Sequence, residues 1–176
     1  MSEYGYKFLW VKHKMNLIQF PDYLALVKLA IPNGSTIVCP VGAKSVITDI
    51  SARFEPFYLV TSSSIKCRCS KAKIVEVIDY FYYGRSSEFS PNTLFKVKNY
   101  NGNPKDLIFL SLYNSDFQYS FNKYVIPDGL DIDTNTECSH GIHFCRSVED
   151  AKAYIKDCTL ADIYPIELDY FKLPPL

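Results

Sequence analysis

The stretch Glu137–Tyr154, ECSHGIHFCRSVEDAKAY, sets two cysteines, two histidines and a glycine directly before a run that carries helix-start signals. Ser147 is placed to act as an N-cap, and Asp150, three residues on, completes an acidic variant of the capping box. Val148, Ala151 and Ile155 fall on one helical face, which predicts a helix over about 148–157. Just upstream, Ile142–Cys145 reads as a strand with Ile142 and Phe144 toward one side and His143 and Cys145 toward the other. Gly141 supplies a backbone conformation closed to other residues where the chain enters that strand. A buried strand leading into a capped helix is the signature of an α+β fold.

Working outward, strand signals dominate. Tyr23–Ile31 (YLALVKLAI) is apolar apart from Lys28, stops at Pro32-Asn33-Gly34, and is followed by the β-branched Ser35–Val41, which reads as two strands joined by a tight turn. Val46–Ile50 and Phe57–Thr61 are short strand candidates, and Lys71–Tyr83 (KAKIVEVIDYFYY) is a long one. Residues 84–104 collect Ser, Asn, Pro and Gly, so we expect an exposed insert with a short strand at Leu94–Val97 and a hairpin tip near Asn101-Gly102. Leu107–Tyr113, Phe117–Val125 and Ile163–Phe171 complete the set, residues 172–176 form a tail, and residues 1–22 an N-terminal extension. The expectation is one domain over 1–176, mostly antiparallel sheet, with the helix packed on it.

Bulk properties narrow the function. The chain has 176 residues, and its 14 Tyr and 12 Phe raise the aromatic share to 15%, which favours strands. Its 19 basic and 19 acidic residues cancel, which removes the electrostatic footprint of a protein that grips nucleic acid or an anionic membrane. Met1–Trp10 lacks a long apolar core and no segment has the length of a membrane span, so an intracellular protein without a secretion signal is expected. Six cysteines in such a setting are expected to be reduced thiols.

Cys138, His140, His143 and Cys145 are all competent zinc ligands, and a zinc-binding module is one reading of the pattern C-x-H-x-x-H-x-C. Four convergent ligands would need a sharply folded loop at Ser139–Gly141, and the paired C-x-x-C knuckle is missing. The favoured reading is architectural, with neither metal nor cofactor. Gly141 makes the turn, Ile142 and Phe144 fill the core, His143 satisfies an internal hydrogen bond, and Cys145 packs as a small hydrophobe. Cys67 and Cys69 alternate in the same way and share one side of a strand.

Four blocks carry a family resemblance: Val27–Pro32 (VKLAIP), Lys66–Val77 (KCRCSKAKIVEV), Phe117–Asp131 (FQYSFNKYVIPDGLD) and the opening stretch. Together they resemble an uncharacterised domain, marked by C-x-x-G-I-H-F, that accompanies pentapeptide repeats in proteins of large DNA viruses, phages and bacteria. Cys145 stands where that family often has an aromatic residue, and no pentapeptide repeat is present here. The resemblance implies a virus-associated module and carries no activity with it.

Three functions follow as expectations. The first is a non-enzymatic module that binds another protein, a viral structural protein among the candidates, in a virion or in the host cytoplasm. Tyr80, Phe81, Tyr82, Tyr83 and the Pro174-Pro175 tail are its candidate contact surfaces, because clustered aromatics are enriched at interfaces. The second is an ADP-ribosyltransferase-like enzyme using NAD, to whose strand-and-helix block G-I-H-F…A-x-x-Y is similar. His143 would then sit in the cleft, Tyr154 or Tyr119 would stack on nicotinamide, and Glu167 would orient the ribose, with Lys28 or Arg68 as the basic anchor. The third is Cys/His nucleophilic catalysis, with Cys138 or Cys145 attacking and His140 or His143 as base.

Overall fold

The computed structural model describes residues 3–16, 21–41, 44–49, 66–84, 93–112, 114, 116–132, 140–159 and 162–176. In chain order the elements are β1 (Glu3–His13), β2 (Tyr23–Ile31), β3 (Thr36–Val41), β4 (Lys44–Asp49), β5 (Lys66–Cys69) and β6 (Lys73–Gly84). There follow β7 (Thr93–Lys98), β8 (Leu107–Leu110), β9 (Gln118–Ser120), β10 (Ile142–Cys145), α1 (Val148–Thr159) and β11 (Asp162–Asp169). Strands dominate, their pairings are mixed but mostly antiparallel, and one α-helix joins them, so the fold is α+β as the sequence predicts. The chain groups into two compact units, each assembled from three separate segments.

The first unit comprises 1–7, 28–73 and 124–154. Its strands run in the order β10-β5-β3-β4, all antiparallel, and Tyr6 of β1 pairs with Cys145 of β10. Ile37, Cys67, Cys69, Ile142, Phe144 and Ala151 form its core. Gly5 is required by packing, because a Cβ there would lie 2.7 Å from Phe144 Cγ. α1 opens as the sequence predicts: the Asp150 N–H donates to Ser147 Oγ at 3.0 Å. Ser147→Ala leaves that donor without its cap, and we expect a loss of about 1 kcal/mol in a denaturant titration, with Ser147→Asp close to wild type.

The second unit comprises 8–27, 74–123 and 155–176. β6 pairs antiparallel with β7, β7 pairs parallel with β11, and the end of β1 from Trp10 to His13 pairs with β8, which in turn pairs with β9. Ring contacts cross the strands: Phe8 with Phe81 at 5.4 Å, Trp10 with Tyr83 at 5.5 Å, and Tyr23 with Tyr82 at 5.3 Å. Such pairs stabilise a sheet beyond the area they bury.

Four expectations are corrected. The segment expected to be an N-terminal extension over 1–22 holds β1, whose alternating EYGYKFLWVKH is buried at Phe8, Leu9 and Val11. The short strand expected at Leu94–Val97 forms as β7, but not within an exposed insert over 84–104, because Thr93, Leu94, Phe95 and Val97 are buried. Asn101-Gly102 is not a hairpin tip, because β7 is satisfied by β6 and β11, and a 3-10 turn at Pro104–Asp106 sends the chain into β8 beside β1. Cys39 and Cys67 are joined by a disulfide rather than held as thiols. The register explains it: Ile37 opposes Cys69 and Val38 opposes Arg68, which brings Cys39 opposite Cys67. Pro32-Asn33-Gly34 does turn, with Gly34 at φ 85°, but β2 and β3 do not pair with each other. Phe57–Thr61 lies outside the described residues.

Candidate functional site

The stretch around Gly141 enters the first unit as β10, paired with β5 so that His143 opposes Arg68 and Cys145 opposes Lys66. Directly opposed residues share a face, so these four side chains project together while Ile142, Phe144, Cys67 and Cys69 project from the other side. Arg68 is 0% exposed and Lys66 8%, and both are held by partners. Arg68 Nε donates to the Asp131 carbonyl at 2.8 Å, and Asp131 N–H in turn donates to the His140 carbonyl at 3.0 Å. Lys66 Nζ lies 3.2 Å from the Tyr154 hydroxyl and 5.1 Å from the centre of its ring. Gly141 sits at φ 140°, and a Cβ there would meet Leu130 Cδ1 at 2.9 Å and Arg68 Cβ at 3.1 Å. The glycine therefore serves both its backbone conformation and the close seat of the Arg68 stem.

Electrostatics follow from this crowding. Burial, then the charges of Lys66, Lys7 and Arg68, push the His143 imidazole down to about 3, so it is neutral at ordinary pH. Its Nε2 is buried with no hydrogen-bond partner, which corrects the expected internal hydrogen bond: Lys66 and Arg68 could donate to a neutral imidazole but are turned to the Tyr154 hydroxyl and the Asp131 carbonyl. Burial pulls the Lys7 ammonium down to about 8 against the opposing pull of Cys69 and Cys145, and it pushes the Cys69 thiol up to about 12. A thiol so placed is a packing group, not a nucleophile.

The His143 shift has a measurable consequence. Its pKa in the folded chain lies below the unfolded value of 6.5, so the unfolded state takes up the proton first. The stability linked to a neutral His143 is present above pH 6.5 and is lost as pH falls toward 3. We expect the melting temperature of wild type to drop more steeply through that window than that of His143→Leu; parallel curves would contradict the assignment.

The other candidates fall as follows. His140 is exposed and Cys138 lies outside the described residues, so the four-ligand zinc reading extends beyond what the structure describes. Among the described residues no three His, Cys, Asp or Glu side chains gather as a metal set. Cys145 is buried and takes no part in the disulfide. Of the NAD-site candidates, Tyr154 is engaged by Lys66, Tyr119 is buried, Lys28 lies over the Tyr4 ring at 4.2 Å, and Glu167 is exposed and paired with Lys96 at 3.5 Å. In YFYY, Phe81 is buried and Tyr80, Tyr82 and Tyr83 are half-buried, each against another ring. Arg68 is the residue that sequence reasoning undervalues. It enters the sequence reading only as a candidate basic anchor, whereas both faces of β5 are covered and its side chain is part of the packing.

Exposed large apolar side chains lie elsewhere, at Tyr124, Ile126 and Ile132 and on β11 and the turn after it, where Tyr164 is 42% exposed, Ile166 57% and Phe171 75%. β11 ends the strand order, and its register with β7 shifts between Tyr164 and Leu168, around Pro165. A proline and a register shift hinder further ladder pairing along this edge.

No helix among the described residues is long and apolar enough to cross a membrane. No curated protein and no solved structure matches the chain. A family model described only as a family of unknown function, DUF5758, matches residues 2–151, and with that span covered the chain belongs to this family.

Proposed function

We propose that the protein is a non-enzymatic module that binds another protein through β11 and the turn after it. The observation that carries this reading is the exposed group Tyr164, Ile166 and Phe171 at the end of the strand order. Exposed apolar side chains brought together on one edge mark contact sites more often than single ones do. Tyr164 is steadied by Phe95 at 5.3 Å, and Ile166 is exposed two residues on along the same strand. The balanced charge of the chain speaks for a protein partner over nucleic acid or membrane. The resemblance to domains of large DNA viruses makes a viral structural protein, in a virion or in the host cytoplasm, the first partner to test.

A photo-crosslinking side chain placed at 166 should capture one defined protein from a lysate of virus-infected cells. The same group at Ile126, 68% exposed and remote in sequence, should not. Equal capture from both positions, or none from 166, removes the assignment.

A further inference from the structure

Leu173-Pro174-Pro175-Leu176 follows the 3-10 turn Tyr170–Lys172 and is neither helix nor strand. Two prolines fix their own φ, and each also forces the residue before it into extended backbone, so the segment is set for polyproline II. Leu173 is accordingly extended, with φ −108° and ψ 161°. A polyproline II helix has about three residues per turn, which puts Leu173 and Leu176 on one face. Burial follows that period: Leu173 and Leu176 are half-buried, while Pro174 and Pro175 are exposed.

The surface beneath is built from tyrosines. The Tyr23 hydroxyl donates to the Pro174 carbonyl, and the Leu176 N–H donates to the Tyr170 hydroxyl at 3.0 Å. Pro175 and Leu176 border a small cleft with Val11, His13, Pro21 and Tyr23. Ring contacts hold the platform in place: Tyr23 with Tyr82 at 5.3 Å, Tyr23 with Tyr170 at 6.2 Å, and Tyr170 with Tyr100 at 4.7 Å. Burial, with the neighbouring tyrosines, raises the Tyr23 phenol above its ordinary value, so it remains a donor at every working pH.

We propose that this tyrosine platform is a recognition site for proline-rich segments in polyproline II form, with Leu173–Leu176 seated in it as an internal ligand that a partner's segment displaces. Polyproline II makes no internal hydrogen bonds, so its carbonyls and N–H groups are free for a host, and the platform engages one of each. The leucine pair supplies the apolar contact, and nothing in the seat depends on a side chain that only this segment carries. A partner needs two apolar residues three apart flanking prolines. This site adjoins the turn that carries Phe171, but it uses neither Tyr164 nor Ile166 and stands if β11 carries no partner.

A fluorescein-labelled peptide containing Leu-Pro-Pro-Leu, titrated by anisotropy, tests it. A tethered segment acts at an effective concentration of about millimolar, so wild type should resist the free peptide. The variant Leu173→Ser with Leu176→Ser should bind it at least about tenfold more tightly. Adding Tyr23→Phe to that variant, or replacing the peptide by Leu-Ala-Ala-Leu, should weaken binding. Equal affinity for wild type and variant, equal affinity for the alanine peptide, or no binding to a variant that melts like wild type would each overturn the proposal. Should the variant not fold, amide exchange at Leu176 of wild type decides: excess peptide should accelerate it, and an unchanged rate overturns the proposal.

Discussion

Arg68→Ala is expected to cost about 3 to 5 kcal/mol of unfolding free energy, a larger effect than any other single substitution considered for this chain. Arg68 is among the largest fully buried side chains of the chain. Its stem packs at Gly141, and its Nε donates to the Asp131 carbonyl, which belongs to the segment that returns to the start of β10. Truncation leaves a cavity and strips the part-buried Asp131 carbonyl of its donor, and the two penalties add. Arg68→Met separates them: it keeps most of the volume, loses only the polar contact, and should cost about half as much. A cost below about 1 kcal/mol for the alanine variant would show that the side chain does not brace β5 against β10.

The disulfide is expected to contribute nearly as much. Cys39 and Cys67 are 28 residues apart, and closing a loop of that size lowers the entropy of the unfolded chain by an amount worth about 3.5 kcal/mol. Both sulfurs are buried, so Cys39→Ala with Cys67→Ala removes the bond without burying a hydroxyl. We expect the double variant to unfold at clearly lower denaturant, and wild type in reductant to approach it. Peptide mapping without reduction should recover the two cysteines as one linked pair. Recovery of both as alkylated thiols from the native protein, with no stability difference, would contradict the bond.

The fold is most legible in the sequence where local signals agree. Ser147, Gly141 and the alternation of Ile142, His143, Phe144 and Cys145 are each readable, because a cap, a positive φ and a strand period depend on nearby residues. Pairing is not. Nothing near Asn101-Gly102 says that β7 will choose β6 and β11, because that choice is settled by Leu94 and Phe95 finding partners far along the chain. The disulfide escapes sequence reasoning for a similar reason: the expectation of an intracellular protein leads to thiols, whereas the register of β3 on β5 brings two sulfurs together.

The site is legible in part. The stretch from Gly141 to Ser147 reads as architecture, and Ile142 and Phe144 do fill a core. The hydrogen bond expected for His143 does not form: the neighbouring strand sets Arg68 and Lys66 on the same face with their donors turned to Asp131 and Tyr154, which the sequence of one strand does not reveal. The YFYY run, read as a candidate contact surface because clustered aromatics are enriched at interfaces, is half core instead, its four rings each packed against another ring. The exposed side chains of β11 lie in a segment whose sequence reads as an ordinary closing strand.

Whether β11 is the contact edge is tested most directly by comparing partner capture by wild type, by Ile166→Asp with Phe171→Asp, and by His143→Leu, with melting temperatures taken alongside. We expect the edge variant to lose the partner while melting like wild type, and His143→Leu to keep it. Loss of the partner in a folded His143→Leu, with capture intact in the edge variant, would move function back to the β5–β10 pair and contradict a binding role for β11.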